Sequence, residues 1–141
     1  ADCVMVFPVH LNPLVRTPVY EMLGCHPRIL LLQPVSYETM VWLMRNCFCI
    51  FTDSGGIQEE APSFGKPLLI MRDTTERPEV LEAGCARLVG ATSARIVQAA
   101  EQLFDNPILY AHMSAVENPF GSGRAALQIV DSILSFDGVR K

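Results

Sequence analysis

Charge is scarce in this sequence. Only 18% of its 141 residues are Asp, Glu, Lys or Arg, and the formal balance is −4. With half the residues hydrophobic, the composition excludes a disordered chain. No Lys/Arg cluster offsets the acidic balance, so a broad nucleic-acid-binding role is excluded. A small anionic ligand is not, because helix ends and one or two arginines decide that locally. No apolar run approaches the roughly 20 residues of a bilayer span, and no membrane contact is expected. The opening residues Ala1–Pro8 lack a basic region and a signal-cleavage site. They read as a core strand with no lead-in, as if this stretch started inside a longer protein. Zinc-ligand spacing is missing as well, so no metal or other cofactor is expected. The five cysteines (Cys3, Cys25, Cys47, Cys49 and Cys85) are odd in number and lie mostly in apolar runs. They are expected as buried free thiols in a reducing cytoplasm.

What is present is a regular alternation. Five short apolar runs recur, at Cys3–Val9, Ile29–Gln33, Cys47–Thr52, Pro67–Met71 and Ala86–Val89. Their hydrophobicity is continuous rather than alternating, which predicts strands covered on both faces, as in a parallel sheet. Between them the pattern predicts helices at Asn12–Leu23, Tyr37–Arg45, Gly56–Phe64 and Pro78–Ala83. Trp42, with Met40, Leu43 and Met44, reads as core. After Val89 the chain becomes helical: Ser93–Phe104, Pro107–Val116 and Arg124–Phe136. Ile96, Val97, Ala100 and Leu103 form an apolar stripe on the first of these, with Ser93 as its cap. The length suits one domain, and the reading is a doubly wound, Rossmann-like α/β domain over residues 1–136, with 137–141 as a frayed end.

Ligands of open parallel sheets bind beyond the carboxyl ends of the strands. Three polar clusters follow apolar runs: His10-Leu11-Asn12-Pro13, Asp53-Ser54-Gly55-Gly56, and Arg72 through Glu79. All three are therefore expected along one rim. Ser54-Gly55-Gly56 stands at a strand–turn–helix junction, where main-chain N–H groups face outward and glycines let an anion approach. A plain structural turn capped by Ser54 is the other reading. The lysine-bearing phosphate loop and the GxGxxG fingerprint are both missing, which favours a diphosphate held without a metal-bound γ-phosphate. Glu60 shares a helical face with Ile57 and Gly56, and a carboxylate there suits the two O–H donors of a ribose; Glu59 is expected to point away. Arg72 and Arg77 either pair with Asp73, Glu76 and Glu79 or add charge-assisted bonds to the diphosphate, Arg77 being the better placed. His10 is read as a hydrogen-bonded structural residue, and His26 and His112 as inert. The ligand class implied is a nucleotide or nucleotide-sugar.

Three blocks carry a family resemblance. Val9-His10-Leu11-Asn12-Pro13, the block Thr52 through Pro62, and Lys66 through Glu79 together resemble the non-hydrolysing UDP-N-acetylglucosamine 2-epimerases. Glu117-Asn118-Pro119-Phe120-Gly121-Ser122-Gly123 is similar to that family's N-P-[FY]-G-x-G turn. The resemblance implies the C-terminal domain of a two-domain, GT-B-type enzyme whose N-terminal domain is outside this chain. It implies interconversion of UDP-GlcNAc and UDP-ManNAc by elimination and re-addition of UDP. Ser54, Gly55, Gly56 and Arg77 would hold the diphosphate, Glu60 the ribose, and His10 an allosteric UDP-GlcNAc. The family's proton-moving carboxylates and its HRRE histidine fall before Ala1, so no catalytic residue is expected here, and the chain alone would be inactive. Val35 and Met40 stand where relatives often carry a polar and an aromatic residue; a main-chain contact to uracil between Gln33 and Met40 would survive such changes. A homodimeric, cytoplasmic full-length protein is further implied. The readings set against this one are a non-catalytic nucleotide-sugar module and the donor domain of a GT-B glycosyltransferase.

Overall fold

The apolar runs shorten when they become strands. A computed structural model describes residues 3–136, which form two compact units divided between Leu43 and Met44. The frayed end expected at 137–141 lies outside the described residues.

In the first unit, β1 (Met5–Pro8) runs parallel to β2 (Ile29–Leu32), with Met5 opposite Ile29 and Pro8 opposite Leu32. The crossover is α1 (Pro13–Leu23). Asn12 starts it: its Oδ1 accepts the Leu14 N–H at 3.0 Å, and Pro13 fills the first helical position, where a missing N–H costs nothing. α2 (Tyr37–Asn46) follows and crosses the division between the units. Coverage of this ladder is incomplete, since Met5, Val6 and Leu30 are exposed. The expectation of two covered faces fails for it. Trp42, expected in the core, is 61% exposed, while Met44 on the same helix is buried.

The second unit is built on β3 (Ile50–Thr52), β4 (Leu68–Ile70) and β5 (Ala86–Leu88), all parallel with β4 in the middle. Here the two-faced reading is correct. Leu68 and Ile70 pack with Ala61, Val80, Cys85 and Ala86 on one side. Leu69 points the other way, among Val89, Ala99, Leu103 and Met113. Each Leu, Ile, Val or Met side chain among them, taken fully from water, contributes about 1.5–3 kcal/mol. The parallel α/β class is thus observed, with the five strands paired as two ladders rather than one continuous sheet.

Helices flank β4. α3 (Gly55–Glu60) follows β3 and α4 (Pro78–Glu82) follows β4. The helix expected from Gly56 to Phe64 breaks after Glu60, because Pro62 has no N–H to return to the Gln58 carbonyl. The chain tightens into a 3₁₀ turn, Ala61–Phe64, and Gly65 stops it in the left-handed region at φ +61°. Three helices close the unit: α5 (Ser93–Asp105), α6 (Pro107–Ser114) and α7 (Ala125–Ser135). Thr92, not Ser93, occupies the N-cap position of α5, without a side-chain capping bond; extended backbone at Thr92 places it just outside the helix, with Ser93 already inside. In the predicted stripe Leu103 is buried but Val97 is 53% exposed, and Ala99 is the residue that packs inward. α7 has no buried residue. No described helix is long and apolar enough to cross a membrane.

The thiols divide by burial. None of the five is in a disulfide, but Cys3 and Cys25 are exposed, Cys47 and Cys49 half-buried, and only Cys85 buried. The expectation of uniform burial is corrected: Cys3 precedes the incompletely covered β1, and Cys25 lies in the turn after α1.

Candidate nucleotide site

β3 and β4 are parallel neighbours, so the chain leaves both at the same edge. After β3 it turns through Asp53 and Ser54 into α3; after β4 it runs through Arg72–Arg77 into α4. Two of the three predicted clusters therefore meet. The third, at His10, belongs to the first unit.

The turn after β3 is shaped by its own polar groups. Thr52, buried at the strand end, accepts the Ser54 N–H on its Oγ1 at 3.0 Å. Ser54 occupies the N-cap with extended backbone (ψ 130°), but its hydroxyl makes no capping bond. Capping is what the plain-turn reading required. Among the described residues no partner is recorded for the amides of Gly55 and Gly56, which stand in the first turn of α3. The first N–H groups of a helix have no intrahelical acceptor, and a glycine puts no Cβ in the way of a ligand. At Gly56 a Cβ would meet only Ser54 Oγ, at 3.9 Å. At Gly55 it would meet Glu76 Oε1 at 2.8 Å, with Arg77 Nη2 at 4.0 Å. The Gly55 face is thus where the second loop closes in.

That loop is held by ion pairs, though not those expected within 72–79 alone. Arg72 Nη1 binds Glu76 Oε2 at 2.7 Å, as anticipated. Asp73 instead reaches Arg95 on α5, at 3.0 Å. Arg77 donates from Nε to Glu59 on α3 and from Nη1 to the Glu76 carbonyl at 3.3 Å. Glu59 therefore faces the site, not away from it. Its carboxylate, followed by burial that opposes and by the charges of Glu59, Glu76 and Glu79, raises the affinity of Arg77 for its proton. The Glu76 carboxyl is held below its ordinary range, chiefly by its own main-chain N–H; desolvation opposes this, and Arg72 and then Arg77 add smaller lowering effects.

Glu60, the next residue on α3, is half-buried, and among the described residues no hydrogen bond to its carboxylate is recorded. Its acceptor capacity is open. His10 is exposed, and its Nδ1 accepts the Asn12 N–H at 3.1 Å, leaving Nε2 as the ring's other polar atom. His26 Nδ1 likewise accepts the Arg28 N–H, at 3.2 Å. His112 is exposed on α6, against Gly84.

Two residues escaped the reading of the sequence. Gln58 on α3 is fully buried, and its Oε1 accepts the Thr75 hydroxyl at 2.5 Å. Its position three residues before buried Ala61, on an otherwise apolar face, was the available signal. Asn118 donates from Nδ2 to the Glu59 carbonyl at 3.1 Å and to Ser63 Oγ at 2.6 Å, while its Oδ1 accepts the Phe120 N–H at 2.9 Å. It satisfies one of the orphan carbonyls at the end of α3 and so fixes the helix from behind. An Asn-Pro pair signals a turn but not this long-range contact.

Comparison with known proteins places the chain in a family. The family model described as UDP-N-acetylglucosamine 2-epimerase matches residues 1–134. The chain is 50% identical to the UDP-N-acetylglucosamine 2-epimerase of Escherichia coli K12, over 94% of this chain and 35% of that protein. It is 45% identical to the enzyme of Bacillus subtilis 168, over 99% of this chain and 37% of that one. Among solved structures, a UDP co-structure of S. aureus MnaA superposes with a TM-score of 0.89 at 45% identity, over 94% of this chain and 36% of that one. The UDP-GlcNAc 2-epimerase of Neisseria meningitidis bound to UDP-GlcNAc gives 0.89 at 46% identity, over 93% and 35%. The chain thus spans about a third of the length of the relatives it matches. It belongs to the UDP-N-acetylglucosamine 2-epimerase family.

Proposed function

We propose that this chain grips the UDP moiety within a UDP-N-acetylglucosamine 2-epimerase, an isomerase interconverting UDP-GlcNAc and UDP-ManNAc. Ser54 and the amides of Gly55 and Gly56 take the diphosphate, Arg77 adds positive charge beside it, and Glu60 accepts from the ribose hydroxyls. The observation that carries this reading is the meeting of the Gly55–Gly56 turn with Arg77 at the shared carboxyl edge of β3 and β4. Cleaving the sugar C1–O bond leaves charge on the departing diphosphate. Donors already aimed at that position stabilise it without reorganising, which lowers the barrier in both the elimination and the re-addition. The groups that move the sugar proton lie in the rest of the full-length protein, which contributes the other domain and associates as a cytoplasmic homodimer. His10, with Nδ1 engaged by Asn12, presents Nε2 to a second, allosteric UDP-GlcNAc.

Calorimetric titration of UDP into the full-length protein tests the reading. Saturable binding, weakened about tenfold or more by Glu60→Ala with the melting midpoint unchanged, is the expected result. Affinity untouched by Glu60→Ala removes the ribose assignment. An absence of heat and saturation at millimolar UDP removes the site.

A further inference from the structure

Gln58 is an expensive residue for the place it occupies. It is 0% exposed, yet its Nε2 has no hydrogen-bond partner. A buried donor left unsatisfied costs about 1–3 kcal/mol, and an apolar side chain of similar volume avoids that loss. Stability therefore gives no reason for a glutamine here. Its one polar contact does. The Thr75 hydroxyl gives its single proton to Gln58 Oε1 at 2.5 Å, and Thr75 Oγ1 in turn accepts the Arg77 main-chain N–H at 3.0 Å. The relay runs from Arg77 through Thr75 to Gln58, and from there into the helix that starts at Gly55.

We infer that Gln58 and Thr75 form a latch that sets Arg77 over the Gly55–Gly56 turn, making both positioning residues for nucleotide binding. The inference rests on the proposed diphosphate role of that turn. Arg77 is already pinned by its side chain to Glu59, on the same helix. The latch pins its main chain as well. With both ends tied to α3, the guanidinium holds its distance from the glycine amides, and the cost of ordering it is met on folding rather than on binding. Without the hydroxyl, the loop between β4 and α4 keeps its ion pairs but loses the bond that fixes where the Arg77 backbone turns into α4.

Positioning and stability are separable by experiment on the full-length protein. Gln58→Met and Thr75→Val each remove the latch while keeping shape. Gln58→Met is expected to leave the melting midpoint unchanged or raised, while UDP affinity falls about fivefold to twentyfold. Thr75→Val should show a similar affinity loss, and Thr75→Ser, which restores the hydroxyl, should bind UDP within about twofold of the parent. Because the latch acts through Arg77, Thr75→Val made in an Arg77→Ala background should weaken UDP binding no further. Equal UDP affinity in the parent and both latch variants overturns the proposal. So does a Gln58→Met protein that melts early or fails to fold, since that makes the glutamine structural. A parent protein that does not bind UDP removes the nucleotide reading itself, an outcome distinct from either.

Discussion

The Arg77 guanidinium is held by Glu59, one residue before the carboxylate assigned to the ribose. Neighbouring acidic residues on one short helix thus have different tasks: Glu59 binds a protein cation, and Glu60 keeps its acceptors open. Ile57, Gly56 and Glu60 share a face, as helical spacing requires, and Glu59 beside them meets the opposing loop through Arg77.

The two carboxylates should therefore respond differently to removal. Glu59→Ala frees Arg77 without unburying anything, so the melting midpoint hardly moves. UDP affinity should fall about threefold to tenfold, because the arginine must be ordered on binding. Glu60→Ala should cost more affinity than Glu59→Ala. In a background of Arg77→Ala, the Glu59 effect should vanish and the Glu60 effect persist. Isothermal titration of UDP into the parent, the three single variants and the two double variants decides the matter.

Asn118 joins the distant N-P-F-G turn to the end of α3 through the Glu59 carbonyl and Ser63. Its replacement by Ala strands a helix carbonyl and removes the support of the helix that bears the site. Chemical denaturation should show a loss of about 1–3 kcal/mol. A smaller drop in UDP affinity should follow from loosening α3. Asn118→Asp, which keeps the bond to Phe120 N–H but cannot donate, should resemble the alanine variant.

Much of this was legible because local rules and tertiary packing agree in the second unit. The runs around Leu68–Ile70 and Ala86–Leu88 are continuous and apolar, and both faces of β4 are covered as that pattern requires. Composition alone could not separate Cys3 and Cys25 from Cys85, since burial is decided by what packs above a strand or turn. The same limit applies to Trp42, whose neighbours on α2 point inward while it does not. The approach of the Arg72–Arg77 loop to the Ser54-Gly55-Gly56 turn was legible from the clusters' places after parallel strands. The Thr75–Gln58 bond was not: it links residues 17 apart in sequence, and no periodicity encodes the orientation of a hydroxyl.

The thiols should react in the order of their exposure. Burial pushes the Cys47 and Cys85 thiols up, against smaller lowering effects, so both carry little thiolate at neutral pH. Cys3 and Cys25 are exposed. Brief treatment of the native chain with an aromatic disulfide reagent should modify these two first and Cys85 last. Mass mapping of the labelled peptides provides the check, and early labelling of Cys85 would contradict its place against Val80.

Acid should loosen the loop between β4 and α4. The folded Glu76 carboxyl is held below 4.5, first by its own main-chain N–H, and Glu38 is lowered in the same way with help from Ser36. A depressed carboxylate stabilises the fold above its unfolded pKa, and that contribution is lost as pH falls through the folded value. The window therefore opens at about pH 4.5 and extends downward. Glu76→Gln lacks that contribution at every pH, so it should lower the melting midpoint slightly at pH 7 and flatten its fall below about pH 4.5.

Gly56 offers the sharpest separation of fold from function. Its φ is not in the left-handed region, and an added Cβ meets nothing closer than Ser54 Oγ at 3.9 Å. Inside a helix, alanine is favoured over glycine by about 0.5–1 kcal/mol. Gly56→Ala should therefore melt at the same temperature or slightly higher. The methyl group would nevertheless stand where a diphosphate must approach the amides, so UDP affinity should fall by about tenfold or more. Gly55→Ala should also fold, because the group it displaces is the far end of the flexible Glu76 side chain. It should lose UDP affinity too, with Arg77 disturbed as well. If Gly56→Ala binds UDP as tightly as the parent, the anion does not sit on this turn, and the assignment of Ser54, Gly55 and Gly56 falls with it.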